Sequence, residues 1–356
     1  MSNLIGSLDI DIWDFIGIWC LIFDISDYLN TRESIFKNDF SIGYSTVKFH
    51  LRLMKKRIDR YQPDEIRDAY LFLLPMLLFA VVFILLPVLG TLVTSLFREV
   101  TFLPSRFSGL DNYLRLTTDR HFWQSVRFTL LFVGVSVAAE LVLGMILALI
   151  LNESIPGRGF VRVAVLVPWA IPIAVSARMW ELIFNFDYGV VNFLVLQLGL
   201  ADAPLNWLGS ATGAFGAIVI SDVWKTTPFM TIILLAGLAA IPQDLYRQAM
   251  VDGTTFLQRF FHITLPLLRP VLVVALLFRT IDAVRIFDLI YVLTGGGPGG
   301  GTTSLSLYAF KYYTSGDFGY GSAISLIVFL VAGLLAVLYI RFTGLTPTLH
   351  KQHGKE

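Results

Sequence analysis

Six apolar runs dominate this chain, at about residues 71–97, 126–151, 161–184, 213–240, 268–293 and 321–341. Each has the roughly 20 residues that a helix needs to cross a bilayer core. In hydrocarbon every backbone N–H and C=O has to bond internally, so runs of this length are expected as helices. The composition agrees, with 56% of the 356 residues hydrophobic, 15% charged and a mean hydropathy of +0.71. That exceeds what a soluble core of this size requires. The expected fold is all-α: a polytopic membrane bundle of six core transmembrane helices at 71–343, with a cytoplasmic helix in the connection 242–270. A basic segment at 54–70 precedes it and a tail at 344–356 follows.

The flanking charges set the orientation. Lys48, Arg52, Lys55, Lys56, Arg57, Arg60 and Arg67 precede the first run. Arg158 and Arg162 lie between the second and third, and Arg247, Arg259 and Arg269 between the fourth and fifth. Residues 185–212 hold no Lys or Arg, and 294–320 hold only Lys311. The positive-inside rule therefore places both termini and the connection Tyr246–Pro270 in the cytoplasm. One connection runs against this pattern: residues 98–125, on the expected outer side, carry Arg98, Arg106, Arg115 and Arg120.

Several classes of function are disfavoured at once. A net charge of +1 gives no argument for nucleic acid. The single cysteine, Cys20, excludes an internal disulfide and a cysteine metal cluster. No Walker A pattern is present, so ATP hydrolysis by this chain is not expected. His50, His121, His262, His350 and His353 are scattered, and no nucleophile–base pair or metal-ligand cluster emerges. No catalytic or metal-binding residue is assigned. Residues 1–53 differ from the rest: Asp11, Asp14 and Asp24 interrupt an aromatic stretch too short to span comfortably. They read as a dispensable extension or as an interfacial helix.

The connection between the fourth and fifth runs, YRQAMVDGTTFLQRFFHITLPLLRP at 246–270, is longer than a simple link between helices requires. Pro242 suits the first turn of a helix and Asp244 its positive end. Leu245, Tyr246, Ala249 and Met250 would share one face, Gly253 would end the helix in the left-handed conformation, and Pro266 would start the fifth span. Phe256, Phe260, Phe261 and Ile263 form a second apolar stripe. Such a helix suits either a partner's groove or the lipid surface.

This segment resembles the cytoplasmic EAA loop of binding-protein-dependent ABC transporter permeases. Ala249, Asp252, Gly253, Ile263, Leu265 and Pro266 fall on that loop's spacing, while Arg247 and Gln248 stand where the family usually has Glu and Ala. Further residues are similar to the maltose-type sugar permeases, specifically the subunit with a Gly-rich outer loop. They are Asn112-Tyr113, Phe122-Trp123, VPWAIP at 167–172, FNFDYGVVN at 184–192, Asn206-Trp207, FDLIYVLTGGGP at 287–298 and Phe318-Gly319-Tyr320-Gly321. The resemblance covers about residues 64–343. It implies a permease subunit of an ATP-driven importer for a sugar or related polyhydroxylated solute, in a bacterial or archaeal inner membrane. It also implies a second permease as heterodimer partner, a cytoplasmic ATPase dimer docked at 243–253, and an external solute-binding protein against 185–212 and 294–320. ATP and Mg would sit on the ATPase, with no cofactor on this chain. An ion-coupled secondary sugar transporter is the alternative, although no inverted repeat is visible.

Ionisable residues inside spans cost about 2.5–3.5 kcal/mol on insertion scales and mark cavities or partners. The fifth run holds Arg279, Asp282, Arg285 and Asp288. The resemblance places sugar-facing positions at Arg279, Ala283 and Ile286, with Asp282 beside them, and at Lys225, Thr226 and Phe229 in the fourth run. Lys225, Arg279 and Asp282 would bond sugar hydroxyls, and Phe229 or Trp224 would cover the C–H faces. Asp222–Lys225 and Arg279–Asp282 are equally readable as structural pairs. Arg285 and Asp288 are expected at a seam or gate, and Arg178 is expected to pair with Glu181; Glu140 has no assigned partner. Gly213, Gly216 and Ala217 offer a small-residue face for helix contact, and Gly295–Gly301 a flexible outer loop.

Overall fold

The computed structural model describes residues 63–153 and 156–343. The expected extension at 1–53, the tail at 344–356 and most of the basic segment at 54–70 lie outside the described residues. The chain divides into two compact units, Met1–Ile84 and Leu85–Glu356. In the first, α1 (Pro63–Ala80) leads into a π-helical turn at Val81–Leu85. Its apolar side chains are exposed all round, Phe72 by 82% and Phe83 by 66%, as on a helix whose solvent is lipid.

The second unit begins with α2 (Leu86–Ser95), a hairpin of β1 (Phe97–Arg98) and β2 (Arg106–Phe107), and the short α3 (Asp111–Thr118). The long α4 (Arg120–Asn152) follows, then α5 (Arg158–Ala170), α6 (Ile173–Ile183) and α7 (Val190–Gln197). After α8 (Ala211–Ala239) and α9 (Gln243–Val251), α10 (Phe256–Arg259) continues through a π-helical turn into α11 (Leu265–Val284). Last come α12 (Asp288–Leu293), α13 (Leu305–Thr314) and α14 (Phe318–Thr343). Among the described residues, five helices are long and apolar enough to cross a membrane, or six if the bent pair α5–α6 counts as one span. The hairpin is an element the all-helical expectation did not contain.

Two expected spans have a different form. The run 161–184 is not one rod, because α5 and α6 meet at 91°. Pro172 cannot donate to the ladder, and Ile171 before it is extended at φ −71°, ψ 132°. The fifth span is displaced from 268–293 to Phe256–Val284. Its start is fixed by a capping box in which Thr255 and Gln258 satisfy each other's backbone N–H. The helix therefore runs through Pro266 instead of beginning there. Of the expected connection 242–270, only Pro242 and residues 252–255 lie outside helices. At the other end the chain breaks after Val284, so Arg285 caps α11 and Asp288 opens α12.

The core forms where α4 lies along α8. One apolar cluster joins Phe128, Phe132 and Val137 of α4 to Ala177 of α6, Ile218 of α8 and Ile290 of α12. A second, towards the other end of α4, joins Met145 and Ala148 to Leu234 and Leu238 of α8 and Leu268 of α11. Close approach uses Gly144 and Gly237, where an added Cβ would lie 2.8 Å from Met230 Cγ and 2.6 Å from Leu268 Cδ1. Of the expected contact face, Ala217 is buried in the first cluster, but Gly213 sits against its own capping turn and Gly216 faces open space. The Gly-rich segment, expected to be flexible, is folded on its own hydrogen bonds. Thr302 Oγ1 donates to Gly297 O at 2.6 Å and Thr303 Oγ1 to Gly296 O at 3.2 Å, and Thr302, Thr303 and Ser304 are buried.

Candidate functional site: a helical elbow and a buried ionic junction

The elbow is α9. Pro242 stands at the N-cap, one position before the first turn in which the sequence placed it, and Asp244 lies in the first turn as expected. Its end is a Schellman motif, with Gly253 N–H bonded to Met250 O and Thr254 N–H to Ala249 O, both at 3.1 Å. Gly253 has φ +74°, the left-handed value expected of it. The predicted single apolar face is split. Ala249 is buried, and Tyr246 packs against the α4–α8–α11 cluster while its hydroxyl meets Thr264 Oγ1 at 3.0 Å. Leu245, Met250 and Val251 remain exposed, the last by 88%. Arg247 is also exposed and donates to Asp244 of its own helix at 3.4 Å. Of the other residues of the motif, Ile263 and Leu265 are half-buried, and Pro266 and Asp252 are exposed.

Arg279 of α11 is the centre of the junction. Its guanidinium is 3% exposed and forks onto three carboxylates. Nη2 donates to Glu140 Oε1 of α4 at 2.9 Å and also to Asp222 of α8, Nε donates to the second oxygen of Glu140, and Nη1 donates to Asp282 at 3.0 Å. Three long helices are thereby tied at one point. Glu140 is fully buried and Asp222 is 6% exposed, so such charges persist only when paired and hydrogen-bonded. This supplies the partner that the sequence left open for Glu140. It also turns Arg279 inward, away from accessible surface. Asp282 differs: its side chain is 56% exposed, held by Arg279 on one oxygen and by Arg285 at 3.5 Å on the other. Arg178 donates to Glu181, the expected pair.

Lys225 is likewise turned inward and 7% exposed. Its ammonium donates to the carbonyls of Pro168, Trp169 and Ile171, the groups left unpaired where α5 ends at the bend. A cation at a helix C-terminus also complements the dipole. The expected Asp222–Lys225 pair is replaced by this cap. Thr226 is half-buried and bonds its own helix at Asp222 O, 2.7 Å. Phe229, half-buried, stacks on the exposed Trp169 at 6.4 Å and 18°, and Trp224 meets Trp180 edge-on at 5.6 Å. Ala283 is fully buried, and Ile286 is half-buried with its carbonyl accepting from Ser304 at 2.7 Å. Of the seven expected pathway positions, Thr226, Phe229, Asp282 and Ile286 keep accessible surface, while Lys225, Arg279 and Ala283 do not. Trp169 was not singled out, since only the bend brings it over Phe229.

Comparisons with known proteins place this arrangement. Residues 140–346 match the family described as binding-protein-dependent transport system inner membrane component. The chain is 56% identical over 278 residues, 78% of its length and 94% of the relative's, to the trehalose/maltose transport system permease protein MalF of Thermococcus litoralis. It is 39% identical over 276 residues, covering 77% of the chain and 89% of the relative, to the sulfoquinovosyl glycerol transport system permease protein SmoG of Agrobacterium fabrum. A chain in the crystal structure of a bacterial alginate ABC transporter, in complex with an alginate pentasaccharide-bound periplasmic protein, has a similar fold. It aligns with a TM-score of 0.69 at 25% identity, over 79% of this chain and 96% of that one. An elbow stiffened at both ends, on a multi-pass bundle with this sequence kinship, belongs to the binding-protein-dependent transport-system inner membrane components, and the chain is a membrane permease subunit of an ABC importer, not an enzyme.

Proposed function

We propose that this permease carries a small uncharged oligosaccharide, of the kind named for its 56%-identical relative, by alternating access driven from a separate ATPase pair. The observation that carries the reading is α9: a short helix fixed inward through Tyr246 and Ala249, with Leu245, Met250 and Val251 offered outward. A rigid body with an apolar outer face can pass a partner's displacement to α8 and α11, the helices at its two ends. Arg247, Asp252 and Gly253 form the docking edge, with Ala249, Ile263, Leu265 and Pro266 as its support. ATP and Mg belong to the partner, a second related permease completes the pathway, and an external binding protein delivers solute at 185–212 and 294–320. Both termini and α9 face the cytoplasm.

On the solute side, Asp282 offers carboxylate oxygens to hydroxyl donors and the Trp169–Phe229 stack offers an apolar platform, with Thr226 and Ile286 nearby. Lys225, Arg279 and Ala283 act by holding these groups in place. The test is reconstitution of the full complex in proteoliposomes with its binding protein, followed by uptake of labelled trehalose and maltose. Uptake should require ATP and stop when ATP is depleted with the membrane potential maintained. Uptake that persists under that condition would overturn the reading.

A further inference from the structure

The connection 98–125 carries arginines on the side where the charge rule expects few, and its geometry gives them a use. The hairpin follows directly on α2 and is built onto the end of the bundle away from α9. Asn112 Nδ2 donates to Ser95 O at 2.8 Å and to Phe97 O at 2.9 Å, and Gly319 N–H, at the start of α14, donates to Glu99 O at 3.2 Å. Strand β1 therefore lies at the ends of two helices long and apolar enough to cross a membrane, Tyr70–Ser95 and Phe318–Arg341; in a bilayer the ends of spans meet the headgroup region.

In the hairpin register Phe97 faces Phe107 and Arg98 faces Arg106. Two like charges directly opposite each other destabilise a two-stranded ribbon, which is itself marginal. Both arginines are exposed, and among the described residues neither takes part in an ion pair. Arg115, in the same connection, is by contrast engaged by Asp317 at 3.1 Å and by the Tyr320 ring at 4.1 Å. The opposite face and the tip are apolar: Phe107 is 65% exposed and Leu103 56%, and Phe102 is entirely exposed at φ +66°, a conformation uncommon for a non-glycine residue.

We propose that this hairpin is an anionic-lipid site, in which Arg98 and Arg106 together grip one phospholipid phosphate while Phe102 and Leu103 enter the acyl boundary. An anion between the guanidiniums removes their repulsion, and arginine's fork suits a phosphate. Phe102 and Leu103 are wholly apolar, so they suit the acyl side of that boundary while the arginines stay at the headgroup side. Lipid is favoured over a free anion because the apolar tip adjoins the charge pair and both adjoin span ends.

The test uses the full chain in nanodiscs of equal parts phosphatidylglycerol and phosphatidylcholine, with bound lipid read by native mass spectrometry. Phosphatidylglycerol should be retained over phosphatidylcholine. The Arg98→Gln/Arg106→Gln variant should weaken that retention by about 30-fold, the combined effect of two basic residues near a charged surface. The Arg98→Lys/Arg106→Lys variant, which keeps the charge but loses the fork, should retain more than the Gln variant and less than wild type, which separates charge from folding. Displacement by inorganic phosphate alone would overturn the lipid assignment in favour of a free anion. A second readout labels Phe102→Cys in a Cys20→Ser background with an environment-sensitive fluorophore. Quenching by brominated lipid supports insertion. Quenching only by aqueous iodide, relieved when the binding protein is added, would assign the hairpin to a protein partner and overturn the proposal.

Discussion

Arg279 on α11 holds Glu140 on α4 across 139 positions of sequence, through both carboxylate oxygens. Neither side chain is more than 3% exposed, and Asp222 on α8 completes the contact. One cation thus serves two fully enclosed acids and a third, Asp282, that reaches accessible surface. Removing the cation leaves the enclosed acids unpaired, whereas removing all three enclosed charges together leaves only a volume change. Breaking a buried pair from one side costs about 3–5 kcal/mol, and apolar replacement of a whole cluster is often neutral. Arg279→Met should therefore lower the thermal midpoint of the purified protein sharply, and the apolar triple variant Arg279→Met/Glu140→Met/Asp222→Leu should recover much of the loss. Equal destabilisation in the single and triple variants would refute the pairing, as measured by a multiple-mutant cycle.

Lys225 is predicted to act on the shape of the bend. Lys225→Met keeps the stem but strands the carbonyls of Pro168, Trp169 and Ile171, each unsatisfied group costing about 1–3 kcal/mol when buried. Amide exchange should rise across 168–176, while ATPase binding at α9, far along α8, should be unchanged. Exchange that stays at the wild-type rate would show that the carbonyls have other partners. A direct sugar contact would instead leave the bend intact and weaken sugar-stimulated uptake alone.

The carboxylate of Asp119 accepts from four donors: Tyr308 and Tyr320 hydroxyls at 2.6 Å each, His121 N–H at 2.9 Å and Phe122 N–H at 3.3 Å. Burial works against its ionisation, but the two hydroxyls and the two amides outweigh it and hold the carboxyl below the usual carboxylate range. A folded-state pKa that is depressed gives stability present above the unfolded value, about 3.9, and lost as pH falls through the folded one. Asp119→Asn retains a helix cap yet loses the charge. The gap in thermal midpoint between wild type and Asp119→Asn should be constant near neutrality and close as the medium is acidified below the unfolded value. A gap independent of pH would show that the charge is not what anchors α4 to α13 and α14.

What the residues disclosed in advance was mostly local. Run length located four of the six spans, and Pro242, Asp244 and Gly253 bounded α9, because caps depend on neighbours a few positions away. Pro168 and Pro172 signalled a weak ladder but not a 91° turn, since the direction of a break is set by packing against α8. The capping box of Thr255 and Gln258 was present in the sequence and would have moved the start of the fifth span to Phe256. Arg279 was assigned to a pathway because its partners lie on other helices. An unpaired Glu140 in one run and a surplus arginine in another were the available clue. Phe102 and the Arg98–Arg106 pair carried no periodic signal, as two-residue strands are too short to show one.

Gly253 tests the elbow itself. An added Cβ would meet nothing within 4 Å, so a substitution there acts through backbone conformation and not through a clash. At φ +74° an ordinary L-residue costs about 1–2 kcal/mol, whereas Asn visits the left-handed region more readily. Gly253→Asn should thus retain most uptake. Gly253→Asp places a charge on the proposed docking edge beside Asp252 and should leave the protein in the membrane fraction but abolish ATP-driven uptake. The ATPase should co-purify with Gly253→Asn and be lost from Gly253→Asp. Since the site is open in the isolated chain, a loss that tracks side-chain charge at constant protein level locates the defect in the partner contact. Uptake at the wild-type rate in Gly253→Asp would remove α9 from the coupling path.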